Sequence, residues 1–416
     1  MANNIAIWDG ARWNAPGNGI AGSVYALAVF DVDGAGPAAP VLIAAGSFTE
    51  AGGTPTSNIA QWDGAGWSTL ADGTDDTVFA LTVWDEDDAG PRPPVLIAGG
   101  MFLEAGGVTA CRIAKWDGES WSALLGGSVG GVSGAAVRAL TVWDDDGPGP
   151  RGPMLVVGGY FGRVGSVTAS NVAQFDGVSW SALGAGVDNR VRALTTWDAD
   201  GLGAAPPLLV VGGEFQKAGG ANAKCIAKWN GTTWSSVGGG VFSNQAPAVL
   251  ALHTFDGDGA GPRPPLLIAG GDFGWAGVAV NHIAAWDGVT WQALAGGVDD
   301  SVLALAVFDA DGPEPGPGVL AVGGSFREAS GQLACGVAQW DAAGWSALSH
   351  DPGNGLSDGV DALTSFDPDG TGPEPPALFA GGVLRLGRRH CRGQHRSVGW
   401  RYLVLARRRH HRRRLP

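Results

Sequence analysis

The sequence predicts an all-β fold: a seven-bladed β-propeller of four-stranded blades, the last blade closed by N-terminal strands. Three observations carry that prediction. A phrase of the form "NIAQWDGAGW" recurs, and its first aromatic falls at Trp8, Trp62, Trp116, Phe175, Trp229, Trp286 and Trp340, with spacings of 54, 54, 59, 54, 57 and 54 residues. A steady period of this size marks a solenoid or a propeller. Each period holds four strand-like pieces, and the two chain ends hold complementary halves of one unit.

The unit beginning at Val24 shows the four pieces in order. "VYALAVF" is rich in strand formers and leads into the turn "DVDGAGPAAP". "VLIAAGSF" follows without polar alternation, which suits a strand buried on both faces. After the loop "TEAGGTPTS", "NIAQW" and "WSTL" flank an Asp-Gly turn, a strong hairpin signal because Gly tolerates positive φ. "WSTL" alternates and reads as the outer strand. Paired glycines such as Gly99 and Gly100, or Gly212 and Gly213, are expected to permit close backbone approach near a crowded axis.

First strands begin at Val24, Val78, Val137, Val191, Val249, Val302 and Val360. The last pair, "VDALTSF" and "ALFAGG", lacks in-frame third and fourth strands, and the N-terminus offers "NIAIW" and "ARWNA" to complete it. Closure in this way removes free sheet edges. An open arc of a longer array is the alternative. An apolar strand ending in Gly-Gly, then an aromatic, then Trp residues a few positions on ("VLIAGGMF" with Trp116 and Trp121) resembles the Kelch-type propellers over residues 1–382. The chain is also similar to WDG-rich repeat arrays of large secreted bacterial proteins. That likeness, with the acidic and Lys-poor composition, implies a place outside the cell or at its surface. The start, "MANNIAIWDGARW", has no charged n-region or apolar h-region, so no signal peptide is visible. No apolar run is long enough for a membrane-spanning helix.

Residues 383–416 break the pattern. The chain carries a net charge of −14, yet after Gly382 there are twelve Arg and no Asp or Glu. The body is too acidic for a phosphate-backbone binder, so no nucleic-acid partner is expected. A codon choice for "QHRSVGWRY" (CAA CAT CGC TCG GTG GGA TGG CGC TAC) encodes "NIARWDGA" one base later. The tail therefore reads as a frameshifted repeat, expected to be disordered, rather than as a basic arm.

Two sets of residues are candidate sites. The turn after each first strand pairs carboxylates: Asp31 and Asp33, Asp85 and Asp87, Asp144 and Asp146, Asp198 and Asp200, Asp256 and Asp258, Asp309 and Asp311, Asp367 and Asp369. Alternating carboxylates in a Gly turn suit calcium, a hard cation that wants several oxygens. However, Pro and Ala stand where further ligands would be needed, so a turn whose Asp side chains cap its own backbone is the plainer account. The loops after the Gly-rich strands vary most between units, and Glu50, Glu104, Arg163, Lys217, Trp275 and Arg327 are the candidate contacts there. The Trp residues in register read as packing. Cys111, Cys225 and Cys335 fall in separate units, too far apart to bridge to one another. His253, His282 and His350 read as lone surface residues. No unit departs from the others with a catalytic set. The expected function is thus a monomeric, non-enzymatic binding or structural module for protein or glycan. The alternative is a lyase or hydrolase with an unrecognised site in the central channel.

Overall fold

The computed structural model describes residues 3–34, 36–88, 90–125, 131–147, 149, 151–201, 203, 205–259, 263–309, 318–341, 343–348, 356–367 and 376–386. They form seven antiparallel sheets whose main paths hold four strands each, in the order first, second, third, fourth. The first blade is Ile20–Phe30, Val41–Ala51, Ile59–Trp62 and Trp67–Thr69, and five more follow the same order. The seventh takes Leu356–Phe366 and Ala377–Leu386 from late in the chain and Asn3–Trp8 and Trp13–Asn14 from its start. Ile5 pairs with Gly381 and Trp8 with Leu378, so the ring is closed by antiparallel pairing. Among the described residues no helix is long and apolar enough to cross a membrane.

Each first strand lies at one edge of its sheet and touches the first strands of both neighbouring blades, so these seven strands surround the axis. Between each pair of neighbouring blades lies one apolar cluster, seven in all. The second strands explain why the core is divided this way. Along Val41–Ala51, Leu42 and Ala44 enter the cluster shared with the seventh blade, and Ile43 and Ala45 the cluster shared with the second. A strand buried on both faces needs apolar residues at every position.

The two glycines of each pair do different work: the first serves these contacts between blades, and the second allows the close backbone approach to the axial strand that the sequence predicts. A Cβ on Gly99, Gly158, Gly212, Gly270, Gly323 or Gly381 would strike the first valine of the next blade (Val137, Val191, Val249, Val302, Val360 and Val24). The second glycine of each pair faces the backbone of its own blade's first strand, where the register slips by one residue.

The tryptophans hold blade to blade. Third- and fourth-strand rings pack in pairs, as Trp62 on Trp67 (5.4 Å) and Trp229 on Trp234 (5.2 Å). The fourth-strand indole then donates to a carbonyl of the preceding unit: Trp121 to Leu70 (3.0 Å), Trp234 to Leu183 (2.8 Å), Trp345 to Leu294 (2.8 Å). Trp13 does the same to Leu348 (2.8 Å) across the closing seam. Cys111 and Cys225 are free, so no bridge joins the three blades to one another; Cys335 is disulfide-bonded. Within residues 383–416, the strand continues through Leu386, and Leu384 is buried where earlier units carry Phe48, Phe102 or Phe215. The remainder of that segment lies outside the described residues.

Candidate functional site

Strand direction sorts the loops onto two faces. The acidic turns after the first strands and the Asp-Gly turns between third and fourth strands share one face. The loops after the second strands, and those entering each first strand, share the other.

On the first face the carboxylates are used locally. Asp63 Oδ1 accepts from the amides of Ala65 and Gly66 (2.8 and 2.7 Å), and Asp117, Asp176 and Asp287 repeat the arrangement. These backbone donors hold Asp63, Asp117 and Asp287 below the usual carboxylate range. In the acidic turns Asp31, Asp85, Asp144, Asp198 and Asp256 each accept from the amide two residues on, at Asp33, Asp87, Asp146, Asp200 and Asp258 (3.1–3.2 Å). Burial first, and then the second carboxyl of the turn, push Asp31, Asp85, Asp144 and Asp198 upward. Arg92, Arg151 and Arg263 cover Asp87, Asp146 and Asp258 at 3.1, 3.2 and 3.1 Å. The side chains of Asp33 and Asp200 fold back onto Ala38 and Ala205. Among the described residues, Asp144, Asp145 and Asp146 alone bring three carboxylates within reach of one cation, and Arg151 sits on two of them. Asp309 and Asp367 start the corresponding turns; Asp311 and Asp369 lie outside the described residues.

The axis is where the blades cease to be alike. Every first strand carries a bulge in the same place, between Val24 and Ala26 and at its six counterparts. The extra residue of a bulge is re-aimed out of the ladder. Here the seven are Tyr25, Phe79, Arg138, Arg192, Leu250, Leu303 and Asp361. Neighbours meet across blades: Tyr25 packs on Phe79 (5.5 Å), and the Arg138 guanidinium lies over the Phe79 ring (4.2 Å). The units thus differ in chemical class at this one position of the first strand, where the repeats are otherwise alike. Nearby, Glu214 is shared by Arg192 (2.6 Å) and Arg190 (3.4 Å), and Arg190 lies over the Tyr160 ring (5.0 Å). Arg138 makes no ion pair among the described residues, and burial, then Arg192 and Arg190, push it down to about 10. Asp361 is pushed up to about 6 by burial alone. His253 lies on a first strand, not on a surface loop; burial lowers it, and Nδ1 sits 2.6 Å from the Thr254 carbonyl. His282 precedes a third strand, and His350 lies outside the described residues.

On the same face as the loops entering the first strands stand the hairpins that carry the six candidate contacts, packed toward the outer, fourth strands. Glu50, Glu104, Arg163, Lys217, Trp275 and Arg327 are all exposed at corresponding places, Arg327 one residue ahead of the others. Three aspartates clamp these hairpins from the preceding unit. Asp75 accepts from the amides of Leu103 and Glu104, Asp188 from Gln216 and Lys217, and Asp299 from Arg327 and Glu328, all at 2.7–2.9 Å. Sequence reading missed them, although Thr74-Asp75, Val187-Asp188 and Val298-Asp299 recur in register. At Trp275 the Phe242 carbonyl takes over the clamp (3.1 Å), and Trp275 is 47% exposed. Clefts open between hairpin and clamp. One of about 730 Å³ lies between the third and fourth blades, lined by Tyr160, Asp188 and Lys217; one of about 310 Å³ lies between the fifth and sixth, lined by Asp299 and Glu328.

No family model matches this chain, and no curated protein matches it. Among solved structures, the chain is similar to BBS1N in complex with ARL6DN, soaked with lead: 14% identity over 94% of this chain and 98% of that one, TM-score 0.48. It is also similar to the GH74 enzyme of Niastella koreensis: 15% identity over 88% of this chain and 51% of that one, TM-score 0.47. The chain thus spans about half the length of that enzyme.

Proposed function

We propose that the chain is a non-enzymatic binding module, placed outside the cell or at its surface, that takes a protein or glycan on the hairpin face. One observation carries this reading. Of the large apolar side chains exposed among the described residues, those on the acidic face are three valines, Val32, Val178 and Val289. Met101, Leu103, Tyr160, Phe242, Trp275 and Leu333 are exposed on the hairpin face. Exposed aromatics and long apolar side chains gathered on one face mark an interaction site.

The lyase or hydrolase reading has the axial arginines in its favour and lacks a converging acid–base pair among the described residues. Asp361 is the acid of the bulge ring, yet burial alone shifts it, with no part played by Arg138. Screening the intact protein on protein and glycan arrays tests the proposal. Trp275→Ala is expected to weaken the captured ligand about fivefold or more, and Val289→Ser to leave it unchanged. Binding lost with Val289→Ser and kept with Trp275→Ala would move the site to the other face. A bound glycan recovered in cleaved form would replace the binding module with the enzyme.

A further inference from the structure

Arg138, Arg190 and Arg192 lie together beside one cleft that Lys217 lines. The larger cleft is walled by Gly134, Gly162 and Gly220 with the ring of Tyr160, and Asp188 and Lys217 face into it. Its counterpart two blades on has Glu328 in place of Lys217. Tyr160, 46% exposed, joins the cleft to the axis, because Arg190 lies over its ring and Arg190 in turn meets Glu214 beside Arg192. Arg138 stands next in this group without a carboxylate of its own. Three arginines against one glutamate leave the group in need of an anion, since a half-buried cation without a counter-ion is costly.

We infer that the cleft between the third and fourth blades, with the arginines beside it, binds a carboxylate-bearing saccharide of the uronate class. This rests on the hairpin-face reading above and narrows its ligand. The carboxylate would answer the surplus of arginine and Lys217. The sugar ring would lie on Tyr160, whose face is apolar while its hydroxyl stays wet. Asp188 uses Oδ1 to hold the amides of Gln216 and Lys217, and as an exposed carboxylate can also accept from sugar hydroxyls. An acidic peptide fits less well. Its carboxylates ride on flexible chains and bring no ring face to lie on Tyr160.

The test uses the intact chain and calorimetric titration with three probes. These are a uronate trisaccharide, the same trisaccharide with its carboxyls reduced to hydroxymethyl groups, and a glutamate-rich peptide. The uronate is expected to bind about tenfold or more tightly than the reduced sugar, with the preference fading as salt shortens the reach of charge. Lys217→Glu, which installs the residue of the other cleft, should abolish the preference without moving Tm. Tyr160→Ala should weaken both sugars. Equal binding of the two sugars, tighter binding of the peptide, or a preference that survives Lys217→Glu would each overturn the inference. If the uronate fails while an array ligand binds and is lost with Trp275→Ala, the inference falls and the hairpin-face reading stands. If no ligand binds at all, both fall.

Discussion

The two faces of the ring use their carboxylates in opposite ways. On the Asp-Gly face each aspartate closes its own turn, as Asp117 does with Ser120 (2.7 Å), and arginines cover several of the rest. On the hairpin face Asp75, Asp188 and Asp299 reach across to the next blade, and the residues they position differ from unit to unit. A repeated carboxylate that bonds within its own turn makes the fold. A repeated clamp beneath changing side chains makes a scaffold for recognition. Fidelity between repeats therefore points away from the proposed binding surface.

Changes at the inter-blade contact should damage both faces together. Gly212→Val sets a branched side chain against Val249 and Leu252 and is expected to cost about 3 kcal/mol or more, seen as a large fall in the denaturation midpoint. A change within about 0.5 kcal/mol would show that the blades can separate there.

The next effect belongs to the hairpin end of the axis. Burial lifts the Asp361 pKa from 3.8 to about 6, above its unfolded value. Folding then favours the protonated form: that stabilisation is complete below the unfolded pKa and lost as pH rises through about 6. Asp361→Asn should match the parent at pH 4 and exceed it by on the order of 2 kcal/mol at pH 7.5. Parallel stability curves for the two proteins across that interval would contradict the burial of this carboxyl.

A matched pair of smaller changes separates the faces directly. Asp188→Ala frees two amides of the neighbouring hairpin, and Asp117→Ala frees two amides of its own turn. Each is expected to cost about 1–2 kcal/mol, but Asp188→Ala alone should weaken ligand capture. Equal effects on capture would erase the distinction between clamp and turn. The smallest effect is expected from calcium. Because Arg151 already occupies Asp145 and Asp146, millimolar calcium should move Tm by less than about 1 °C, and a rise of several degrees would assign the acidic face a metal.

The blades were legible because apolar runs, Asp-Gly turns and Trp pairs return at nearly one period. The axial ring was not. In "VYAL", "VFAL", "VRAL" and "VDAL" the second residue looks like one more strand position, and only backbone register reveals that Tyr25, Phe79, Arg138 and Asp361 are bulged. The signal was present: along an otherwise uniform strand, this position changes chemical class. The arginine group was hidden for another reason. Arg138 and Arg192 are distant in sequence and come near one another because adjacent blades place equivalent strands side by side. The paired aspartates misled in the reverse direction, since alternating carboxylates in a glycine turn describe a cation loop and a self-bonded turn equally well.

The closing seam has a consequence for biosynthesis. The strand Asn3–Trp8 is made about 370 residues before its partner Ala377–Leu386, and Trp13 must likewise await Leu348. At ribosomal speed that interval is roughly 20 to 70 s. Throughout it, Ile5, Ile7 and Trp8 form an apolar strand with an open edge, while blade after blade stacks beside it. The ring therefore cannot close until Ala377–Leu386 has been made. A chaperone that shields Asn3–Trp8, or crowding that presents it with a neighbour's edge, would decide between a ring and a chain of rings.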